Sequence, residues 1–355
     1  MRGTDFNRYK KYLEYFITND LSKIGLESGI SYYWFISKVF DFYKTPLFIS
    51  EIYVEPTITA SIQIGNLIFF VFGLFGLYKL LNNLDYRYDE IIKILIIVSL
   101  FVPLIGARII LKPEIMAFAF LPWLLFLYNS FFETKNNIFL YLSIPILSSL
   151  IVLKSSITFM IGLSILVIYG KKIINKNFIR INLITFLLTV LLVIENFEIN
   201  GNYLWQHIIE DNYNNKASLS YFYLFNPIEL FQNPFRNELS GSMISIILAD
   251  TFGDYWQRYW FHKDGWSGDI FPGDIMIIRI SLVLSLFFYI FVIFSLLKEK
   301  NKKLQKIGIL GFVGVFALIV NAINLFPFLT QNFDPSKGDP MKTHLFSFLL
   351  SFTLI

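Results

Sequence analysis

Runs of about 20 apolar residues, almost empty of charge, recur along this chain and restrict it to few folds. As an α-helix rising about 1.5 Å per residue, such a run matches the roughly 30 Å hydrocarbon core of a bilayer. Candidate spans cover residues 58–80, 91–110, 115–132, 138–153, 156–170, 181–197, 277–297, 307–326 and 343–355. Composition agrees with them: 55% of the 355 residues are hydrophobic and 16% charged, against about 45–50% and 25% in soluble domains. The expected architecture is an all-α membrane protein, a polytopic helical bundle of about nine spans, with outer-side loops carrying short interfacial helices.

Residues 138–170 test this reading. One unbroken helix there would be roughly 50 Å long, well beyond the hydrocarbon thickness. Lys154-Ser155-Ser156 stands at the centre of the stretch, and the reading is two short helices meeting at that turn. Basic residues set the sidedness, because Lys and Arg gather in cytoplasmic loops. Clusters at Lys79, Arg87 and Lys93, at Lys135, at Lys171 to Arg180 and at Lys298 to Lys306 share one side only if residues 138–170 cross twice. The charges then sort into a net +8 on the cytoplasmic side and −4 on the outer side, which together give the chain's +4.

Four parts follow: an outer loop with amphipathic helices (1–57), transmembrane helices (58–197), a large outer loop (198–276) and further transmembrane helices (277–355). The first part lies outside with no span before it, and the last run has only 13 residues. The expectation is a fragment lacking the first helix and the C-terminus of a longer protein.

Within the first part, residues 4–17 read as a short helix that Thr4 or Asp5 can cap, since their side-chain oxygens accept free N–H groups of the first turn. Residues 27–43 are aromatic with scattered charge and read as lying at the interface. Pro46 and Pro56 are expected to bound a loop holding Glu51 and Glu55. The large loop carries four of the six tryptophans, which suit either sugar stacking or the headgroup belt.

Several chemistries are excluded. There is no cysteine, hence no disulfide, thiolate metal site or cysteine nucleophile. The three histidines are far apart, and no phosphate-binding glycine loop or basic nucleic-acid stripe occurs.

Ionisable groups avoid the centres of the spans and collect at their outer ends: Arg108, Lys112, Glu114, Lys154, Glu195, Glu198 and Arg279. A proton-coupled transporter needs charges at the midplane. Acids and bases at one membrane depth suit chemistry at the outer rim. Arg108, Lys112 and Lys154 are able to bind phosphate there, Arg as a bidentate fork and Lys as a point charge. The alternative is snorkelling to lipid headgroups. Asp5 is the first acid of the chain, either a helix cap or a catalytic carboxylate.

Five segments carry a resemblance: Gly3-Thr4-Asp5-Phe6 with Tyr9; Gly29 to Phe35 (GISYYWF); Arg108 to Glu114 (RIILKPE); Lys154-Ser155-Ser156; and Asp339-Pro340-Met341-Lys342. In their order and common sidedness they resemble the type C (GT-C) membrane glycosyltransferases, such as the protein O-mannosyltransferases and aminoarabinose transferases. Two departures stand out, since neither the aromatic stretch nor the Lys-Ser-Ser turn has the family's proline. A weaker likeness covers Asp250 to Trp256 and includes Asp254.

The resemblance implies a polyprenyl-phosphate sugar donor, a glycan, lipid or protein acceptor, and an active site on the outer side of a bacterial plasma membrane. It implies Asp5 as general base towards the acceptor hydroxyl and inversion at the anomeric carbon. Arg108, Lys154 and Lys342 would stabilise the departing lipid phosphate, with Glu114 and Asp254 as further substrate-binding residues. Members differ in whether they use a divalent cation. The competing readings are a polymerase, ligase or flippase acting on lipid-linked glycans, and a non-catalytic membrane subunit.

Overall fold

The computed structural model describes residues 6–18, 29–47, 54–100, 104–105, 108, 111, 113–153, 155–197, 225–232, 242, 244–245, 248, 251–252 and 272–298. Among these residues every regular element is helical and no strand occurs. In chain order they are α1 (Phe6–Thr18), α2 (Ile30–Leu47), α3 (Val54–Asn83), α4 (Tyr88–Ser99), α5 (Glu114–Thr134), α6 (Ile138–Ile151) and α7 (Ser155–Tyr169). A 3₁₀ turn (Gly170–Ile174) leads to α8 (Lys176–Phe197), and α9 (Pro227–Gln232) and α10 (Pro272–Lys298) follow. Among the described residues three helices are long and apolar enough to cross a membrane: Thr57–Asn83, Glu114–Thr134 and Met276–Lys298.

The chain divides into two compact units. Residues 2–96 and 107–207 form the larger one, whose most extensive packing is between α3 and α5. These two helices run parallel. Phe70 stacks on Phe118 with ring centroids 5.9 Å apart, Phe72 on Trp123 at 5.1 Å, and Asn83 bonds Asn129. Glycines on α3 make room for this approach. A Cβ added at Gly76 would stand 2.5 Å from the Trp123 ring, and one at Gly73 would stand 2.5 Å from Phe118. The Trp123 indole, seated against Gly76, donates to the Phe72 carbonyl at 2.9 Å. In a bilayer, where lipid tails are as apolar as leucine, such close fits and interhelical hydrogen bonds hold helices together.

Helix α6 runs back along α5. Ser31 Oγ touches both the start of α5 (Met116 Sδ, 3.4 Å) and the end of α6 (Ser149 carbonyl, 2.9 Å). Helix α7 then reverses again, and Tyr169 at its end donates to the Leu125 carbonyl at 2.9 Å and lies 4.8 Å from the Phe132 ring. The turn at Val152 and Leu153 therefore separates two short antiparallel helices, as the length argument requires. Helix α8 lies parallel to α6, joined by Asn177 to Asn137 at 3.2 Å and by Thr189 to Ser148 at 2.9 Å.

The unit accordingly has two ends. Gly29, Pro113, Glu114 and Leu153 stand at the first. At the second, a polar clamp joins α3 to α5. Asn129 donates to Asn83 and to Glu133 (2.8 Å), while Asn83 donates to the other Glu133 oxygen at 3.1 Å. Lys135 and Asn137 lie at this second end. Phe178, in the first turn of α8, packs there on Phe131 and Phe132.

Helix α5 is sheathed by its neighbours, whereas α3 and α8 expose apolar stripes. Ile179, Leu183, Ile184, Leu187, Leu188 and Leu191 of α8 are exposed, while Phe178, Ile181, Thr185 and Thr189 turn inward. Soluble monomers rarely expose a contiguous apolar face of this size, and small polar groups inside with aliphatic groups outside is the membrane arrangement.

In the smaller unit, α10 carries Arg279, whose Nε donates to the Phe231 carbonyl of α9 at 2.8 Å. Thr251 Oγ1 lies 2.8 Å from the Tyr289 hydroxyl and Phe252 packs edge-on against Phe288.

Two expectations are corrected. The loop expected between Pro46 and Pro56 is shorter, because Pro46 falls inside the last turn of α2 and Glu55 and Pro56 inside the first turn of α3. Proline suits a first turn, where the N–H has no intrahelical partner to lose. The helix expected over 91–110 is interrupted: α4 ends at Ser99 with a turn at Leu100, while Leu104, Ile105 and Arg108 beyond it are helical. Pro103 follows in the sequence and lacks the N–H that a continuing ladder needs. The spans expected at 307–326 and 343–355, and most of the 198–276 loop with its four tryptophans, lie outside the described residues.

Two predictions follow from this packing. Gly76→Val should overpack against Trp123 and lower unfolding stability in detergent by about 1–3 kcal/mol. Gly162→Ala, where an added methyl meets nothing within 4 Å, should leave the melting temperature unchanged or higher. Because the chain has no cysteine, single cysteines report topology without background. Asn136→Cys and Lys172→Cys should label from one face of the membrane and Lys154→Cys from the other; labelling of Asn136→Cys and Lys172→Cys from opposite faces would disprove the α6–α7 reversal.

Candidate functional site

The first end of the larger unit brings together three segments far apart in sequence. Gly29, just before α2, donates its backbone N–H to the Leu153 carbonyl at 2.7 Å, in the turn between α6 and α7. Its φ of +86° lies in the left-handed region, which glycine enters without the steric cost a Cβ brings. Space is equally restrictive, since a Cβ here would lie 2.8 Å from the Tyr33 ring and 3.2 Å from Pro113. The aromatic stretch, the Pro-Glu entry to α5 and the turn that precedes Lys154 thus meet at one glycine.

Glu114 opens α5 and is 3% exposed. A carboxylate at a helix N-terminus sits where the peptide dipoles favour negative charge and where N–H groups lack helical partners. Ordinarily a carboxylate this deep is rare unless partnered. Among the described acidic side chains, Glu114 is the only buried one.

Arg108 is held against α3 in two ways. Its carbonyl accepts from Asn66 Nδ2 at 3.0 Å, and its guanidinium lies over the Phe70 ring, 5.3 Å from the centroid. Asn66 is fully buried and its Oδ1 accepts from the Tyr32 hydroxyl at 2.8 Å. Tyr32 and Tyr33 are both fully buried and meet edge-on at 5.3 Å, and Tyr33 meets Tyr12 of α1 at 5.6 Å. An aromatic and amide lining therefore runs from α1 through α2 to Arg108.

Of the residues singled out from sequence, Arg108 and Glu114 both belong to this end of the unit. Asp5, Lys154, Asp254 and Lys342 lie outside the described residues; Asp5 immediately precedes α1, and Lys154 immediately follows Leu153. Arg279 is spent on a backbone carbonyl in the smaller unit. Asn66 and Phe70 were not anticipated, and Tyr32 only as one residue of the aromatic stretch Gly29 to Phe35. Asn66 carried the one usable signal, a polar amide within the otherwise apolar 58–80 span, since polar groups inside a membrane helix are costly and mark internal contacts or function. No group of three or more Asp, Glu or His side chains comes together among the described residues, so they assemble no ligand set for a divalent cation.

No protein-family model, curated protein or solved structure matches this chain.

Gly29→Ala should strain the backbone and displace the Tyr33 ring, costing about 1–3 kcal/mol. The expected reading is a lower melting temperature in detergent together with new exposure of a cysteine placed at position 153.

Proposed function

We propose that this chain is a multi-pass membrane glycosyltransferase of the type C architecture, in the plasma membrane of a bacterium, moving a sugar from a polyprenyl-phosphate donor to a hydroxyl acceptor on the outer face. One observation carries the reading. Three of the segments on which the resemblance rests, at Gly29, at Pro113-Glu114 and beside Lys154, converge at one end of the helical unit. The opposite end bears Lys135, and the segment from Lys171 to Lys176 enters α8 there, so the positive-inside rule assigns that end to the cytoplasm. The converging segments then face outward, where lipid-linked sugar donors are used.

In this reading Asp5 takes the proton from the acceptor hydroxyl. The oxygen attacks the anomeric carbon from the side opposite the phosphate, the carbon–oxygen bond to phosphate breaks, and the lipid phosphate leaves with the electron pair. Arg108, Lys154 and Lys342 stabilise that charge, which matters most where water is scarce. Glu114 and Asp254 accept hydrogen bonds from sugar or acceptor hydroxyls.

The test separates a base from a helix cap. A cap needs a side-chain oxygen only, so Asn replaces Asp with little loss. A base must take a proton, and its loss costs about 10²–10⁴ in rate. Asp5→Asn should insert normally in membranes yet lose sugar transfer from a polyprenyl-phosphate donor by that factor. Activity within a few-fold of the unmodified chain would remove Asp5 from the chemistry. Lys154→Ala should weaken donor use by about ten- to a hundred-fold, the loss of one charge-assisted contact.

A further inference from the structure

The arrangement around Arg108 deepens the proposed reading and rests on it only for the identity of the anion. Asn66 and Phe70 are one turn apart on the same face of α3 and hold different parts of the same residue. Asn66 fixes the Arg108 backbone by its 3.0 Å bond to the carbonyl, and is itself fixed by the Tyr32 hydroxyl at 2.8 Å. Phe70, 6% exposed, places its ring under the guanidinium at 5.3 Å. A guanidinium lying on a ring is held through its face, while its five N–H donors radiate in the plane of the group and stay available at the edges. No carboxylate pairs with it among the described residues. Arg108 is also partly exposed, unlike its supports. A guanidinium with its backbone carbonyl held, its carbon over an aromatic ring and no described carboxylate paired with it is placed to receive two oxygens of one tetrahedral anion.

We propose that Asn66 and Phe70 are positioning residues that hold Arg108 ready to bind a phosphate group at the membrane surface. The phosphate can belong to a polyprenyl phosphate or to an ordinary anionic headgroup, and the bound group is the same in both.

The experiment measures binding rather than turnover, so it stands or falls separately from the transferase reading. The full chain is placed in nanodiscs of phosphatidylcholine and titrated with farnesyl phosphate, and in a second arm phosphatidylglycerol replaces part of the lipid. Arg108→Ala should weaken farnesyl phosphate binding by about ten- to a hundred-fold. Phe70→Leu, which keeps an apolar side chain but removes the ring, should weaken it on the order of tenfold, and Phe70→Tyr should restore it. A purely structural role for Phe70 would lower the melting temperature in Phe70→Leu and leave affinity alone. Competition by phosphatidylglycerol at equal concentration assigns the site to headgroups in general, and its absence assigns it to the isoprenoid phosphate; either supports an anion site. Affinity within twofold of the unmodified chain in Phe70→Leu, or in Arg108→Ala, would overturn the proposal.

Discussion

Parallel packing of α3 against α5 is the constraint on which the larger unit depends. Two helices that run the same way require the intervening chain to travel back along their length, and within this unit α6, α7 and α8 then build on the α5 side. The contact is made by shape rather than by a hydrophobic driving force, since lipid offers leucine as good an environment as protein does. Gly73 and Gly76 are holes, and Phe118 and Trp123 fill them. The Trp123 indole donates to the Phe72 carbonyl, which satisfies a donor that would be expensive to leave unpaired inside the bundle. Because α5 is covered on most sides, it is the helix able to carry Glu114, Asn129 and Ser130 as buried polar groups.

The two ends of this unit are held by different chemistry. At the second end, side-chain amides and one carboxylate close on each other, with Asn83, Asn129 and Glu133 satisfying one another across two helices. Such a network leaves few lone pairs for anything else. At the first end the ties are a backbone bond, Gly29 to Leu153, and hydroxyl-to-backbone or hydroxyl-to-amide bonds from Ser31 and Tyr32. Arg108 and Glu114 stand at this same end, and no bond joins the two to each other among the described residues.

Much of the helical layout was legible because apolar length and chain reversal are one-dimensional properties. A break within 138–170 followed from the impossible length of a single helix there, though the turn falls at Val152 and Leu153 and Ser155 and Ser156 already belong to α7; α5, α6, α7 and α10 begin and end within a few residues of the expected limits. Proline was misread where its position within a helix decides its effect: Pro56 sits in a first turn, where it costs nothing, so a loop expected there is helix. The site was legible only as a set of residues at one depth. Sequence order does not say that Gly29 closes on Leu153, because that contact needs a left-handed glycine and two helix ends from separate parts of the chain. Asn66 and Phe70 were hidden for a related reason, since each looks like an ordinary member of a spanning helix until Arg108 is seen to lie across them.

The position of Arg108 and the packing of α3 against α5 are linked through α3. Asn66 and Phe70, which hold the arginine, lie about one to three turns before Gly73 and Gly76, which receive Phe118 and Trp123. All four project from one continuous helix, and Phe70 itself stacks on Phe118 at 5.9 Å. A rotation of α3 large enough to take Phe70 from under the guanidinium would also drive Gly73 and Gly76 out of register with the side chains that fill them. Close-packed helices resist such rotation because the intermediate positions are clashes rather than gentle slopes. The packing of α3 against α5 therefore gives the arginine a stiffness that a surface side chain on a loop would lack, and it does so from inside the apolar layer.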